Sequence, residues 1–186
     1  IIGEGYGSHK LISNAQGRRE QHPGWWISAF KLAYHQALEQ SGIDAKAIQA
    51  IGVSGQQHGL VALDQQGKVI RPAKLWCDTE TEPQNRQLLA ALGGDDLCKA
   101  RLGLVIATGY TASKLLWMKQ NCADYFRKIA HILLPHDYFN FWLTGNTVSE
   151  YGDASGTGYF SVRTRQWDHG ILDIIDPNEQ LSKVLP

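Results

Sequence analysis

The densest group of residues able to do polar chemistry is Ser54-Gly55-Gln56-Gln57-His58-Gly59, set between two apolar runs. Gln57 and a neutral His58 each carry both a donor and an acceptor. A ligand made of hydroxyl groups needs that pairing, because every hydroxyl both gives and takes hydrogen bonds. Such a site also rejects analogues lacking a hydroxyl, since its own polar groups would be left unpaired. Glycine on either side lets the chain turn sharply and lets a ligand come close. The alternative is a polar turn whose side chains satisfy only nearby backbone groups. A second group, Leu75-Trp76-Cys77-Asp78-Thr79, sets an aromatic wall, Trp76, beside an acceptor carboxylate, Asp78. A core tryptophan and a helix-capping Asp or Thr fit the same residues. A third group, Asp153-Ala154-Ser155-Gly156-Thr157, reads as a tight turn and carries no chemistry alone.

Other chemistries are excluded. No GxxxxGK[ST] occurs, so there is no P-loop nucleotide site. Gly3, Gly5 and Gly7 alternate, but no helix opens on them as a dinucleotide fingerprint requires. Val53-Ser54-Gly55 has Gln56 where a nucleophile elbow needs glycine. His131, His136 and Asp137 match no standard metal spacing, so no metal ligands are assigned. Cys77, Cys98 and Cys122 form no CxxC pair and read as inert thiols in a reducing, cytoplasmic setting. Lys plus Arg and Asp plus Glu number 18 each. That balance lacks the positive excess a nucleic-acid surface needs. No apolar run approaches the roughly 18 residues of a membrane helix, so no membrane partner is expected.

The elements that must position these groups can be read from periodicity. Apolar residues make up 43 % of the chain, enough for a core. Residues 1–13 alternate loosely, as a strand would. Pro23-Gly24 precedes a helical stripe of Trp26, Phe30, Ala33 and Ala37, closed by Ser41-Gly42. Residues 48–54 read as a buried strand, and Leu60–Asp64 as a second. A short strand over residues 73–76 leads into the second polar group. Pro83 opens a helix to about Leu92. Residues after Thr111 form a helix, 129–134 a buried strand, and His136–Trp142 a helix closed by Gly145. Tyr159–Val162 reads as a strand, with a helix starting at Arg165–Asp168. Alternation of strands and helices indicates one α/β layered domain over residues 1–186. The chain lacks an initiator methionine, and the expectation is a piece of a longer polypeptide.

Taken in order, five segments resemble the FGGY family of carbohydrate kinases. IGVSGQQHGLVALD (51–64) is similar to the family's strand-turn-strand, and VIRPAKLWCDTET (69–81) to its R-P-A-x-L-W-x-D-x-R stretch. TGYTASKLLWMKQN (108–121), HILLPHDYFNFWLTG (131–145) and DASGTGYFSVRTRQWD (153–168) resemble its later helix and strand segments. Glu80 departs from the pattern, where arginine is usual, and Gln57 stands where methionine is frequent.

The resemblance implies an actin-like ATPase, ribonuclease H-like domain with a mixed sheet flanked by helices. It implies ATP-dependent phosphorylation of a sugar, with this chain as the sugar-binding half. Gln57-His58-Gly59 points within the family to D-xylulose, giving D-xylulose 5-phosphate; glycerol kinases typically carry Arg-Glu at that turn. Another sugar, polyol or sugar acid stays open, as does a non-catalytic sugar-binding scaffold. The implied sugar contacts are Gln57, His58, Trp76 and Asp78. The general-base aspartate, the first strands, and most of the ATP and Mg²⁺ site are expected outside this chain. The implied partners are the sugar, ATP and the rest of the same polypeptide, with a homodimer left open.

Overall fold

The computed structural model describes residues 1–178 and 181–186. The first half holds β1 (Ile12–Ser13), β2 (Arg19–Gln21), α1 (Pro23–Ser41), β3 (Val61–Leu63), β4 (Ala73–Lys74), α2 (Glu82–Ala91) and α3 (Asp95–Leu102). The second holds α4 (Thr111–Asn121), α5 (Ala123–Phe126), β5 (His131–Leu133), α6 (Pro135–Thr144), α7 (Tyr151–Ala154), β6 (Phe160–Ser161), β7 (Gln166–Trp167) and α8 (His169–Ile175).

The layering follows from the two-residue period of β3. Leu60 and Ala62 point into one core with Leu88, Leu102, Leu115, Met118 and Ile171. Val61 and Leu63 point into a second core with Trp26, Leu75, Leu133 and Tyr138. Successive strand side chains face opposite ways, so a strand apolar at every position must be covered on both faces. β5 repeats the division, with Ile132 in the first core and Leu133 in the second. It pairs antiparallel with β3 in the register Val61↔Leu133, Ala62↔Ile132 and Leu63↔His131. β2 lies between β1 and β4, and β6 pairs with β7. The helix-flanked α/β layering is therefore present, and the strand pairs among the described residues are all antiparallel.

α1 begins at Pro23, where proline needs no N–H partner, and its His22 cap accepts from the Gly24 N–H at 3.2 Å. It ends at Gly42, left-handed at φ 67°. The residues before it form no strand until Ile12. Instead Gly3, Gly5 and Gly7 lie against the backbone of Ala37, Ala33 and Ala29, where any Cβ would collide. Two extended residues rise about 6.6 Å and four helical residues about 6 Å, so the two spacings match. The Glu4 and Tyr6 N–H groups donate to Gln40 and Gln36 side chains of the same helix, at 2.5 and 2.7 Å.

Three further differences from the sequence expectation have physical reasons. Residues 48–54 form no strand, and Ile51 is 53 % exposed. Their apolar character suits a buried strand, but among the described residues no ladder partner lies against them. Residues 95–102 form α3, opened by Asp95 and Asp96 in its first turn, where negative charge suits the helix dipole. Residues 166–167 form β7, because Trp167 pairs with Phe160 across a tight turn, and the helix starts only after the Asp168 cap. Among the described residues, no helix is long and apolar enough to cross a membrane.

Candidate functional site

The site is assembled where the 54–59 corner meets the N-terminus of α4. His58 is left-handed at φ 60°, an uncommon conformation for a non-glycine residue. Its carbonyl accepts from Thr111 Oγ1 at 3.2 Å and from Lys114 Nζ at 2.5 Å. Lys114 Nζ also donates to the Gly109 carbonyl. The His58 ring lies on Tyr110, with centroids 4.4 Å apart and planes 32° from parallel. Its other side rests on Gly156 of the third polar group. Nδ1 is enclosed with no hydrogen-bond partner among the described residues.

Burial, then the nearby Lys114 charge, lowers the His58 pKa, while Asp153 opposes them. The imidazole is therefore neutral near pH 7 and able to accept as well as donate. Lys114 is fully buried, and burial pushes its pKa down to about 7 against the pull of Asp78.

The flanking glycines do something other than admit a ligand. A Cβ on Gly55 would stand 2.7 Å from His136 Cβ, and one on Gly59 would stand 2.5 Å from Pro135 Cγ. The close neighbour is the first turn of α6.

Of the four residues read from sequence, Gln57 is exposed and His58 half-buried at this corner. Trp76 is 57 % exposed, and its carbonyl lies against Gly109, beside the Lys114 clamp. Asp78 has no exposed surface. Its carboxylate accepts from Lys74 Nζ at 3.1 Å, the Arg19 N–H at 2.8 Å and the Glu80 N–H at 3.1 Å. Glu20, Asp78 and Glu80 are the carboxylates that converge closely enough to hold a cation among the described residues. That space belongs to the Lys74 ammonium, 3.1 Å from Glu20 and Asp78 and paired with Glu80. The cluster therefore does not fit a divalent metal.

Tyr110, Lys114 and His136 join the site without having been singled out as ligand contacts, and Asp153 of the third polar group faces His58 and pairs with His136. His136 Nδ1 lies 2.6 Å from Asp153 Oδ2, and Nε2 lies 3.0 Å from Asp137 Oδ1. Ser149 Oγ donates to Asp137 at 2.9 Å. A groove of about 560 Å³ passes along Ser54, Gly55 and Gln56 between α1 and α6. None of the four sequence-derived contacts lines it.

Fold and site together define an α/β domain in which a neutral, half-buried imidazole is clamped at the 54–59 corner, with Gln57 and Trp76 exposed. The sequence pattern of the FGGY family of carbohydrate kinases, N-terminal domain, matches residues 1–186. The chain is 47 % identical over 190 residues to a xylulose kinase of Haemophilus influenzae, covering 100 % of this chain and 38 % of that protein. It is 37 % identical over 172 residues to a xylulose kinase of Streptomyces coelicolor, covering 92 % and 34 %. A crystal structure described as a xyloylose kinase from Brucella ovis matches with a TM-score of 0.88 at 33 % identity, covering 98 % of this chain and 36 % of that one. The chain belongs to the FGGY family of carbohydrate kinases. It spans less than two-fifths of the length of these relatives.

Proposed function

We propose that residues 1–186 are most of the sugar-holding domain of an ATP-dependent kinase that phosphorylates D-xylulose. The reaction transfers the γ-phosphoryl of ATP to a terminal sugar hydroxyl, giving ADP and D-xylulose 5-phosphate. The observation that carries the reading is His58: neutral, half-buried at the corner and clamped through its own carbonyl, a ring able to offer a hydroxyl both a donor and an acceptor. Gln57 adds an exposed amide, and Trp76 adds an open aromatic face for the apolar side of the sugar. Asp78 serves beneath them by holding Lys74 and the Arg19 backbone.

Phosphoryl transfer is mostly positioning and charge stabilisation. This half supplies positioning. In this reading ATP, its Mg²⁺ and the general base belong to the rest of the polypeptide; the converging carboxylates described here are filled by Lys74. The strands preceding residue 1 and a second domain complete the enzyme, in a reducing cytoplasm. The test is ATP turnover by the full polypeptide with D-xylulose, D-ribulose, D-gluconate and glycerol. D-xylulose is expected to give the highest kcat/KM, and failure to turn it over rejects the reading.

A further inference from the structure

Lys114 has no exposed surface, yet its ammonium bonds two backbone carbonyls, those of His58 and Gly109. A buried charge is costly to desolvate, and a purely space-filling role on α4 would suit an apolar side chain better. The acceptors it selects are the backbone of the strained, left-handed residue at the site and of the loop carrying Tyr110. Thr111, three positions away on α4, bonds the same His58 carbonyl.

We propose that Lys114 is a positioning residue for the sugar: by bonding the His58 carbonyl it holds that backbone in its left-handed state and so sets the imidazole on Gly156. This rests on the reading of His58 as a sugar contact. The groups facing His58 are Lys114 and Tyr110 from the α4 side and Asp153 from α7. Those facing Lys114 are Asp78, Cys77 and Lys74. Asp153 favours an imidazolium and Lys114 opposes it. Removing Lys114 therefore frees the carbonyl and lets the ring charge at higher pH, which costs it an acceptor.

The test uses the full polypeptide with Lys114→Met and Lys114→Gln. Lys114→Met is expected to raise KM for D-xylulose about tenfold while KM for ATP stays within about twofold. Both variants are expected to move the acid limb of kcat/KM for the sugar to higher pH. Unchanged sugar KM, or equal rises in both KM values, overturns the proposal. NMR titration of His58 needs no sugar and separates this proposal from the kinase reading. A His58 pKa that does not rise on loss of Lys114 overturns it even if D-xylulose is a substrate. If Lys114→Met does not fold, the amide of Lys114→Gln carries both measurements. In the wild-type protein, His58 titrating at or above about pH 6.5 overturns this seating of the ring without any variant.

Discussion

The imidazole of His58 rests so closely on Gly156 that a Cβ at that glycine would collide with ring atoms Cε1 and Nδ1. Two segments far apart in the chain thereby share one contact, and glycine at 156 becomes a condition of the ring's position. The 153–157 turn, which carries no chemistry alone, shapes the chemistry of the 54–59 corner.

Gly156→Ala is expected to push the ring off this seat. The enclosed ring has Tyr110 on its other side and little room to retreat. Overpacking of this kind costs about 1–3 kcal/mol. In the full polypeptide, KM for D-xylulose is expected to rise several-fold, with a lower Tm in a thermal melt. Wild-type values for both would show that the ring yields freely.

His58→Ala removes the group offered to the hydroxyl while leaving the backbone clamp in place, since Thr111 and Lys114 bond the carbonyl rather than the ring. The expected loss in kcat/KM for D-xylulose is about tenfold or more, roughly 1.4 kcal/mol of transition-state stabilisation. Steady-state kinetics on the full polypeptide measures it, and an unchanged kcat/KM removes His58 from the sugar site.

The legible parts of this molecule are those set by local pattern. α1, α4 and α6 follow from helical periodicity and from glycines at 42 and 145 that end two of them left-handed. β3 and β5 follow from continuous apolar runs, because strands covered on both faces have no polar side to show. Residues 48–54 misled for the same reason: an apolar run specifies burial, whereas a strand also needs a ladder partner. The Gly3, Gly5 and Gly7 ladder on α1 was legible as alternation but not as packing, since its partners Ala29, Ala33 and Ala37 recur at a different interval. At the site, His58 could be singled out by residue type. Lys114 and Gly156 could not, because each acts through a tertiary contact with His58 that no local spacing encodes.

Lys74 predicts a stability effect. Its ammonium has no exposed surface, contacts Glu20, Asp78 and Glu80, and lies 4.0 Å from the Trp117 ring centroid. Lys74→Met keeps the volume but strands buried carboxylates without their cation. Breaking a buried pair from one side costs about 3–5 kcal/mol. The urea midpoint of the full polypeptide is expected to fall accordingly, and a midpoint within error of wild type would show that Arg71 and Arg18 suffice for Glu20 and Glu80.

His136 predicts a pH dependence of the opposite sense to that of a paired carboxylate. The hydrogen bond to Asp153 raises its pKa, burial opposes this, and the charges of Asp137, Asp153 and Glu150 add to the rise. A group whose folded pKa exceeds its unfolded value binds its proton more tightly when folded. Its contribution to stability is complete below the unfolded value of about 6.5 and is lost as pH rises through the folded value. His136→Asn removes this contribution while keeping a polar side chain between the two aspartates. The stability difference between wild type and variant is therefore expected to be larger near about pH 6 than near about pH 9. Urea midpoints of both proteins at the two pH values measure it, and a difference that stays flat or grows with pH would show that His136 is not held as an imidazolium by Asp153.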